Sequence, residues 1–461
     1  MFLPKCQSGS GHKIWLELKD CLALATPLAG AQLAQAATAF VDTVMMGLLG
    51  GSVLAAGGLG ATLFQILVII STNVISAVSP LVASAYGAGQ QTTVGKILRQ
   101  GFWLVAGLAL PLGLLLWYAA PLLRMLGQDP AIIAIALPYI RAVVWGLPAL
   151  LGFAVLRNLV SALSDPRPII VITLAGTLCN VLGNYLLMFG KFGLPKLGLA
   201  GIGWASAISL WGMFAALMLY LFSQPRYRPY HLLGQLWPDL DLLGELLQIG
   251  LPIGVLAAVE TGMFALTTVL MGQIGAVPLA AHQIVLQTAS ITFMVPLGIS
   301  FATTIRVGQQ LGQQNRRGAR RAGVVGIAIS ALFMSLTALL VWLFPAPIIG
   351  LYVDLGNPAN ADLVQLARQL LVIAAVFQIA DGVQVSAAGA LRGLPDTRVP
   401  LLIGLLAYWG VGLSSSYWLG IRLGWGGVGL WWGLALGLLM AAVVLTLRFL
   451  TIPILAAKSS S

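Results

Sequence analysis

Three carboxylates stand inside stretches that are otherwise apolar. Asp42 lies in Phe40-Val-Asp42-Thr-Val, Glu260 in Ala257-Ala-Val-Glu260-Thr-Gly262, and Asp381 in Phe377-Gln-Ile-Ala-Asp381-Gly-Val-Gln384. A carboxylate near the centre of a helix in hydrocarbon costs about 2.5–3.5 kcal/mol on insertion scales, so it marks a pathway or a relay by default. Two such acids facing one site can hold a single proton between them, or exchange it for a hard cation that prefers oxygen ligands, such as Na⁺. Glu260 and Asp381 are therefore expected to form a site for a coupling cation, Na⁺ or H⁺. The structural alternative keeps each acid neutral and hydrogen-bonded to a neighbouring helix, a task that Gln or Asn would do without the risk of charge.

His282, in Ala281-His282-Gln283, sits near the start of an apolar stretch, where it can serve as a relay or as a hydrogen-bonded interfacial side chain. Pro27, Pro80, Pro252 and Pro296 fall inside apolar stretches and remove backbone donors there, which permits kinks. Motifs for other chemistry are missing. Gly89-Gln-Gln-Thr-Thr-Val-Gly95-Lys96 has the wrong glycine spacing for a phosphate loop and no Ser or Thr after the lysine. No HExxH, GxSxG or CxxC occurs, and Cys6, Cys21 and Cys179 are far apart. Transport would therefore be driven by a gradient, with no other cofactor, and the chain is not expected to be an enzyme.

The elements that position these acids follow from composition. The 461 residues are 59% hydrophobic and 8% charged, and the mean hydropathy is +0.96, which places the chain among polytopic membrane proteins. Its apolar runs are about 20 residues long, the length that about 30 Å of hydrocarbon requires of a helix. Splitting at Gly, Pro and charge clusters gives twelve spans: 19–46, 53–86, 97–120, 132–158, 168–190, 199–222, 245–274, 278–307, 320–345, 361–390, 398–420 and 427–450. The segment 223–244, with Arg226, Arg228, His231, Asp239 and Asp241, reads as a cytoplasmic linker between two six-helix halves, 1–222 and 245–461. Ten of the thirteen acids are assigned to span ends or loops.

The net charge of +11 and pI of about 9.9 come from Lys and Arg between the spans, so they read as topology signals, not as a nucleic-acid surface. All of the 24 basic residues except Arg124, Arg141, Lys191, Lys196, Arg368 and Arg422 fall on one side. Both termini are then cytoplasmic, in a multi-pass protein of the inner (plasma) membrane. The Ser tail after Lys458 carries no signal of its own.

The two halves repeat. Pro27, Met46-Gly47, Gly50, Leu54-Ala-Ala56 and Gly87 recur 225 positions later as Pro252, Met271-Gly272, Gly275, Leu279-Ala-Ala281 and Gly312. Each half has an even number of spans, so the repeats share an orientation and are related by a pseudo-twofold axis along the membrane normal. That arrangement predicts a cavity between two bundles. Thr267, not an acid, stands where Asp42 would repeat, so the halves are expected to do different jobs. Gly429-x3-Gly433-x3-Gly437 puts three glycines on one helix face and reads as a packing seam.

Several stretches, in order along the chain, resemble the multidrug and toxic compound extrusion (MATE) family, in particular its NorM-like branch. They are Phe40-Val-Asp42-Thr-Val-Met-Met-Gly47; Asn180-Val-Leu-Gly-Asn184-Tyr with Gly190-Lys-Phe-Gly193; Ala280-Ala-His282-Gln283-Ile; Ile305-Arg306-Val-Gly308; and Gln378-x2-Asp381-x-Val-Gln384 through Leu391-Arg392-Gly393. The resemblance implies two six-helix bundles set in a V around a central cavity. It also implies a secondary antiporter that exports small organic cations, often aromatic, in exchange for Na⁺ or H⁺ by alternating access, acting as a monomer in the bilayer.

Position by position, the resemblance gives Glu260 and Asp381 to the second-half cation site and Asp42, Asn180 and Asn184 to a first-half proton or substrate site. It gives Pro27 to a hinge in the first helix, and leaves His282, Gln283 and Phe377 as relay or cavity positions. Phe377 stands where relatives commonly carry tyrosine, so one oxygen ligand is missing and the choice between Na⁺ and H⁺ stays open. The alternatives are a lipid-linked saccharide flippase of the same superfamily, disfavoured because few basic residues lie away from the loops, and a membrane-embedded enzyme, for which no catalytic pair is visible.

Overall fold

The structure, a computed structural model, describes residues 10–453 apart from 233, 235 and 236. Lys5, Cys6 and the Lys458–Ser461 tail lie outside the described residues. Within them the chain is helical and has no strand. Twelve long helices run in order: α1 Ser10–Leu48; α2 Gly51–Gly87, with a turn at Ser76 and Ala77; α3 Gln91–Trp117; α4, formed by Pro130–Val144 and Leu147–Ala162; α5 Arg167–Phe189; and α6 Leu199–Ser223. After a short 3₁₀ turn, Pro225–Tyr230, come α7 Leu240–Ile274, α8 Ala276–Gly312, α9 Arg316–Leu343, α10 Ala361–Gly393, α11 Arg398–Arg422 and α12 Gly426–Thr451.

Ten of these helices are each long and apolar enough to cross a membrane, and α4, bent by 43° between its parts, makes an eleventh. The remaining helix, α1, has 39 residues and a length of about 58 Å at 1.5 Å per residue. Gln32, Gln35 and Asp42 interrupt its apolar stretch.

Local chemistry sets the ends. Asp129 caps α4 by accepting from Ala131 N at 2.8 Å, with Pro130 at the first helical position. Asn315 caps α9 through Gly318 N at 3.0 Å. Gly50 and Gly275, equivalent in the sequence repeat, join the first two helices of each half with φ of 111° and 156°. Side chains resist that region, so the repeated glycine answers a backbone requirement.

The chain divides into two compact units. One is Gly30–Ala258. The other combines the chain up to Ala29 with Val259–Ser461, so α1 and α7 each contribute to both. In the second unit α10 is central and packs most extensively against α8, α12 and α9. Ser300 and Thr304 of α8 donate to Val385 O and Gly389 O of α10 at 2.7 and 2.8 Å, hydrogen bonds of the kind that hold helices together without help from the hydrophobic effect. Gly429, Gly433 and Gly437 face the backbone of α11 at Leu419, Ser416 and Gly412, which makes them the seam their spacing predicts. Opposite them, α11 widens into π-helical turns at Leu405–Leu413 and Trp418–Arg422.

Glu17 departs from its expected place at a solvated span end. Because α1 starts as early as Ser10, Glu17 lies on a packed helix face and is 5% exposed. Arg306 of α8 grips it with Nε–Oε1 at 2.7 Å and Nη2–Oε2 at 3.0 Å, and also reaches Asp20 at 3.0 Å. A bidentate, mostly buried pair of this kind is a structural clasp within the second unit.

Candidate functional site

Asp381 and Gln384 lie one turn apart on the buried face of α10, where residues i and i+3 are neighbours. Glu260, half-buried on α7, comes to the same point. Gln384 donates through Nε2 to Glu260 Oε1 at 3.0 Å and to Asp381 Oδ1 at 3.1 Å. Its own Oε1 accepts from the Tyr408 hydroxyl at 2.8 Å. Since both carboxylate oxygens sit at hydrogen-bond distance from one nitrogen, they are at most about 6 Å from each other.

The π-helical part of α11 presents two consecutive residues here. Tyr408 holds the amide, and Trp409 Nε1 donates to Val259 O at 2.9 Å, which fixes α7 next to Glu260. Such insertions re-aim side chains and concentrate at functional sites. Arg392, further along α10, is tied to Ser300 Oγ at 2.8 Å and to Ala388 O at 3.3 Å. Two carboxylates with neutral amide and hydroxyl groups beside them form a donor set suited to a proton or a monovalent hard cation.

A second polar cluster lies in the first unit. Asn180 and Asn184, one turn apart on α5, face Asp42 of α1. Asn184 Nδ2 donates to Asp42 Oδ1 at 2.6 Å and to Asn180 Oδ1 at 3.1 Å, and Asn180 Nδ2 donates to Ser206 Oγ of α6 at 3.1 Å. Asn184 is fully buried and its Oδ1 has no hydrogen-bond partner among the described residues. A turn along α1, Thr38 and Thr177 share a hydrogen bond of 2.8 Å. The three residues expected to form this cluster do so, and Ser206 joins them.

The remaining candidates spread out. His282 is fully buried, with Nε2 at 2.9 Å from Thr268 Oγ1 and Nδ1 without a partner among the described residues. Its ring meets Trp431 edge-on at 5.7 Å, and Trp431 in turn meets Phe377 at 5.4 Å. Phe377, 1% exposed and also against Phe264, belongs to this aromatic core. Gln283 is exposed. Pro27 sits inside the continuous helix α1, two residues before the point where α1 passes from one unit to the other.

Gln384 and Tyr408 are the site residues that sequence reasoning passed over. The i+3 spacing of Gln384 from Asp381 was a usable signal. Tyr408 had none, because nothing in an all-apolar stretch marks a π-helical turn.

Comparisons with known proteins bear on the family and the fold. The family profile described as MatE matches residues 27–186 and 252–418. The two matches begin at Pro27 and Pro252, the same 225-residue offset as the repeat. The probable multidrug resistance protein NorM of Synechococcus sp. is 51% identical over 436 residues, covering 94% of each chain. Its namesake in Synechocystis sp. is 44% identical over 436 residues, again 94% of each. Among solved structures, the eukaryotic MATE transporter AtDTX14 superposes with a TM-score of 0.84 over 96% of this chain and 97% of that one, at 21% identity, a likeness of fold.

Proposed function

We propose a function from one premise: the chain belongs to the MatE family. It is a multi-pass membrane protein and a multidrug efflux transporter, the function that its NorM-named relatives carry over nearly the whole chain. That coverage favours drug efflux over the flippase alternative, and the family is one of transporters, not enzymes.

The finer reading concerns coupling. Glu260 and Asp381 take up Na⁺ or H⁺, and organic cations leave in exchange. The observation that supports this is the single amide shared by the two carboxylates, which brings them into one polar cluster. Occupancy by the ion favours one access state and substrate favours the other, and each can shift the equilibrium only by its differential affinity for the two states. A charge moving inward across 100 mV contributes about 2.3 kcal/mol. Asp42, with Asn180 and Asn184, serves substrate release or the proton response in the first half, and Pro27 is the hinge of α1. The protein acts as a monomer in the inner membrane with both termini cytoplasmic, a placement supported by the one-sided distribution of Lys and Arg. Efflux of a fluorescent organic cation from proteoliposomes under separate Na⁺ and H⁺ gradients, in wild type and in Glu260→Gln and Asp381→Asn, tests the coupling assignment.

A further inference from the structure

We propose that the Gln384 amide is a built-in stand-in for the coupling cation, turning about its terminal bond when the cation arrives and turning back when it leaves. The proposal rests on the reading of Glu260 and Asp381 as the coupling pair. Gln384 is 2% exposed and Tyr408 1%, so water does not readily replace either. In the observed orientation every polar atom of the amide is used: the NH₂ group serves both carboxylates, and the carbonyl accepts from Tyr408. Two N–H groups aimed at two carboxylates supply the partial positive charge that an ion between them would otherwise provide.

An ion or proton entering between the carboxylates meets those N–H groups head-on. A half-turn of the amide exchanges them for the carbonyl oxygen, which ligates a cation or accepts from a protonated carboxyl. The exchange needs little rearrangement of the core, because the amide N and O are nearly equal in size and the terminal torsion of Gln has a broad, roughly two-fold profile. Tyr408 suits both orientations: its hydroxyl donates to the carbonyl in one and accepts from the NH₂ in the other. Trp409, clamped to Val259 O, keeps α7 in register throughout. The pair of acids thus keeps a hydrogen-bonding or ligating partner in both states, and ion release is an exchange of partners.

The test is infrared difference spectroscopy on the full-length protein in proteoliposomes, exchanging Na⁺ for choline at fixed pH and, separately, stepping pH without Na⁺. The expected result is a Gln side-chain carbonyl band that shifts together with the carboxylate bands in wild type, is lost in Gln384→Leu, and is displaced in Tyr408→Phe. A wild-type difference spectrum with no amide carbonyl shift, or one unchanged in Gln384→Leu, overturns the proposal. If Gln384→Leu fails to fold, as judged by size exclusion, Tyr408→Phe decides: an amide band identical to wild type counts against the exchange. The double variant Glu260→Gln/Asp381→Asn separates the two levels. Carboxylate bands there that are unchanged from wild type refute the coupling pair itself. Bands that are reduced there, while the amide region ignores Gln384→Leu, refute only the role of Gln384.

Discussion

Glu260 and Asp381, on different helices, accept hydrogen bonds from the same nitrogen, Nε2 of Gln384, at 3.0 and 3.1 Å. One amide therefore joins both acids in a single polar cluster. The first unit has a related but unequal arrangement, in which Asn184 donates to Asp42 and to a second amide, Asn180. The acids are not copies of each other in the repeat, although both clusters draw on the first and fifth helices of their half; the second-half cluster adds the fourth helix and the first-half cluster the sixth.

Asp42 is expected to tune the first-half response. In Asp42→Asn the 2.6 Å bond from Asn184 loses its carboxylate acceptor, and hydrogen bonds to charged groups contribute about 1.5–3 kcal/mol against about 0.5–1.5 kcal/mol for neutral ones. The pH profile of efflux in membrane vesicles should shift. An unchanged rate and profile would leave Asp42 a purely structural residue.

Arg306→Ala leaves the Glu17 carboxylate, 5% exposed, without its main partner. Breaking a buried pair from one side costs about 3–5 kcal/mol, so the variant should melt at a clearly lower temperature in detergent. The Glu17→Gln/Arg306→Gln double variant should lose less. Equal losses in single and double variants would mean that the clasp contributes through packing alone.

Gly433→Ala should be severely destabilising, because a Cβ there runs into the backbone of Ser416. Gly410→Ala, on the facing helix, meets nothing within 4 Å and should stay within about 0.5 kcal/mol of wild type. Yield and melting temperature of the two variants compare seam with surface directly.

Outside the spans, Asp165 accepts from the Tyr220 and Tyr227 hydroxyls at 2.9 and 2.7 Å and pairs with Arg226 at 3.1 Å. Burial first, and then Asp165, pushes the Tyr227 phenol well above its usual value of 10.0. A raised phenol contributes stability that is complete below the unfolded value and is lost as pH climbs toward the folded one. Thermal stability should therefore be insensitive to this tyrosine at neutral pH and decline above about pH 10, and Tyr227→Phe should blunt the decline.

The span pattern was readable because each helix is an apolar run closed by Gly, Pro or charge. The repeat was readable because Gly50 and Gly275 meet the same backbone demand at the same offset. The acids were readable because hydrocarbon makes a carboxylate anomalous. What escaped depends on tertiary contact. The π-helical turns that aim Tyr408 leave no mark in a uniformly apolar stretch, and Arg306 looks like any cytoplasmic arginine until α1 is seen to carry Glu17 against it. Phe377, flagged by comparison with tyrosine-bearing relatives, packs in the core with Trp431 and Phe264.

The central claim is that Glu260 and Asp381 couple efflux to an ion gradient. Efflux of a fluorescent organic cation from proteoliposomes, with Na⁺ and H⁺ gradients imposed one at a time, tests it most directly. The account predicts that wild type responds to at least one gradient, and that Glu260→Gln and Asp381→Asn insert normally yet lose gradient-driven efflux. Gradient-driven efflux retained in both variants would contradict it.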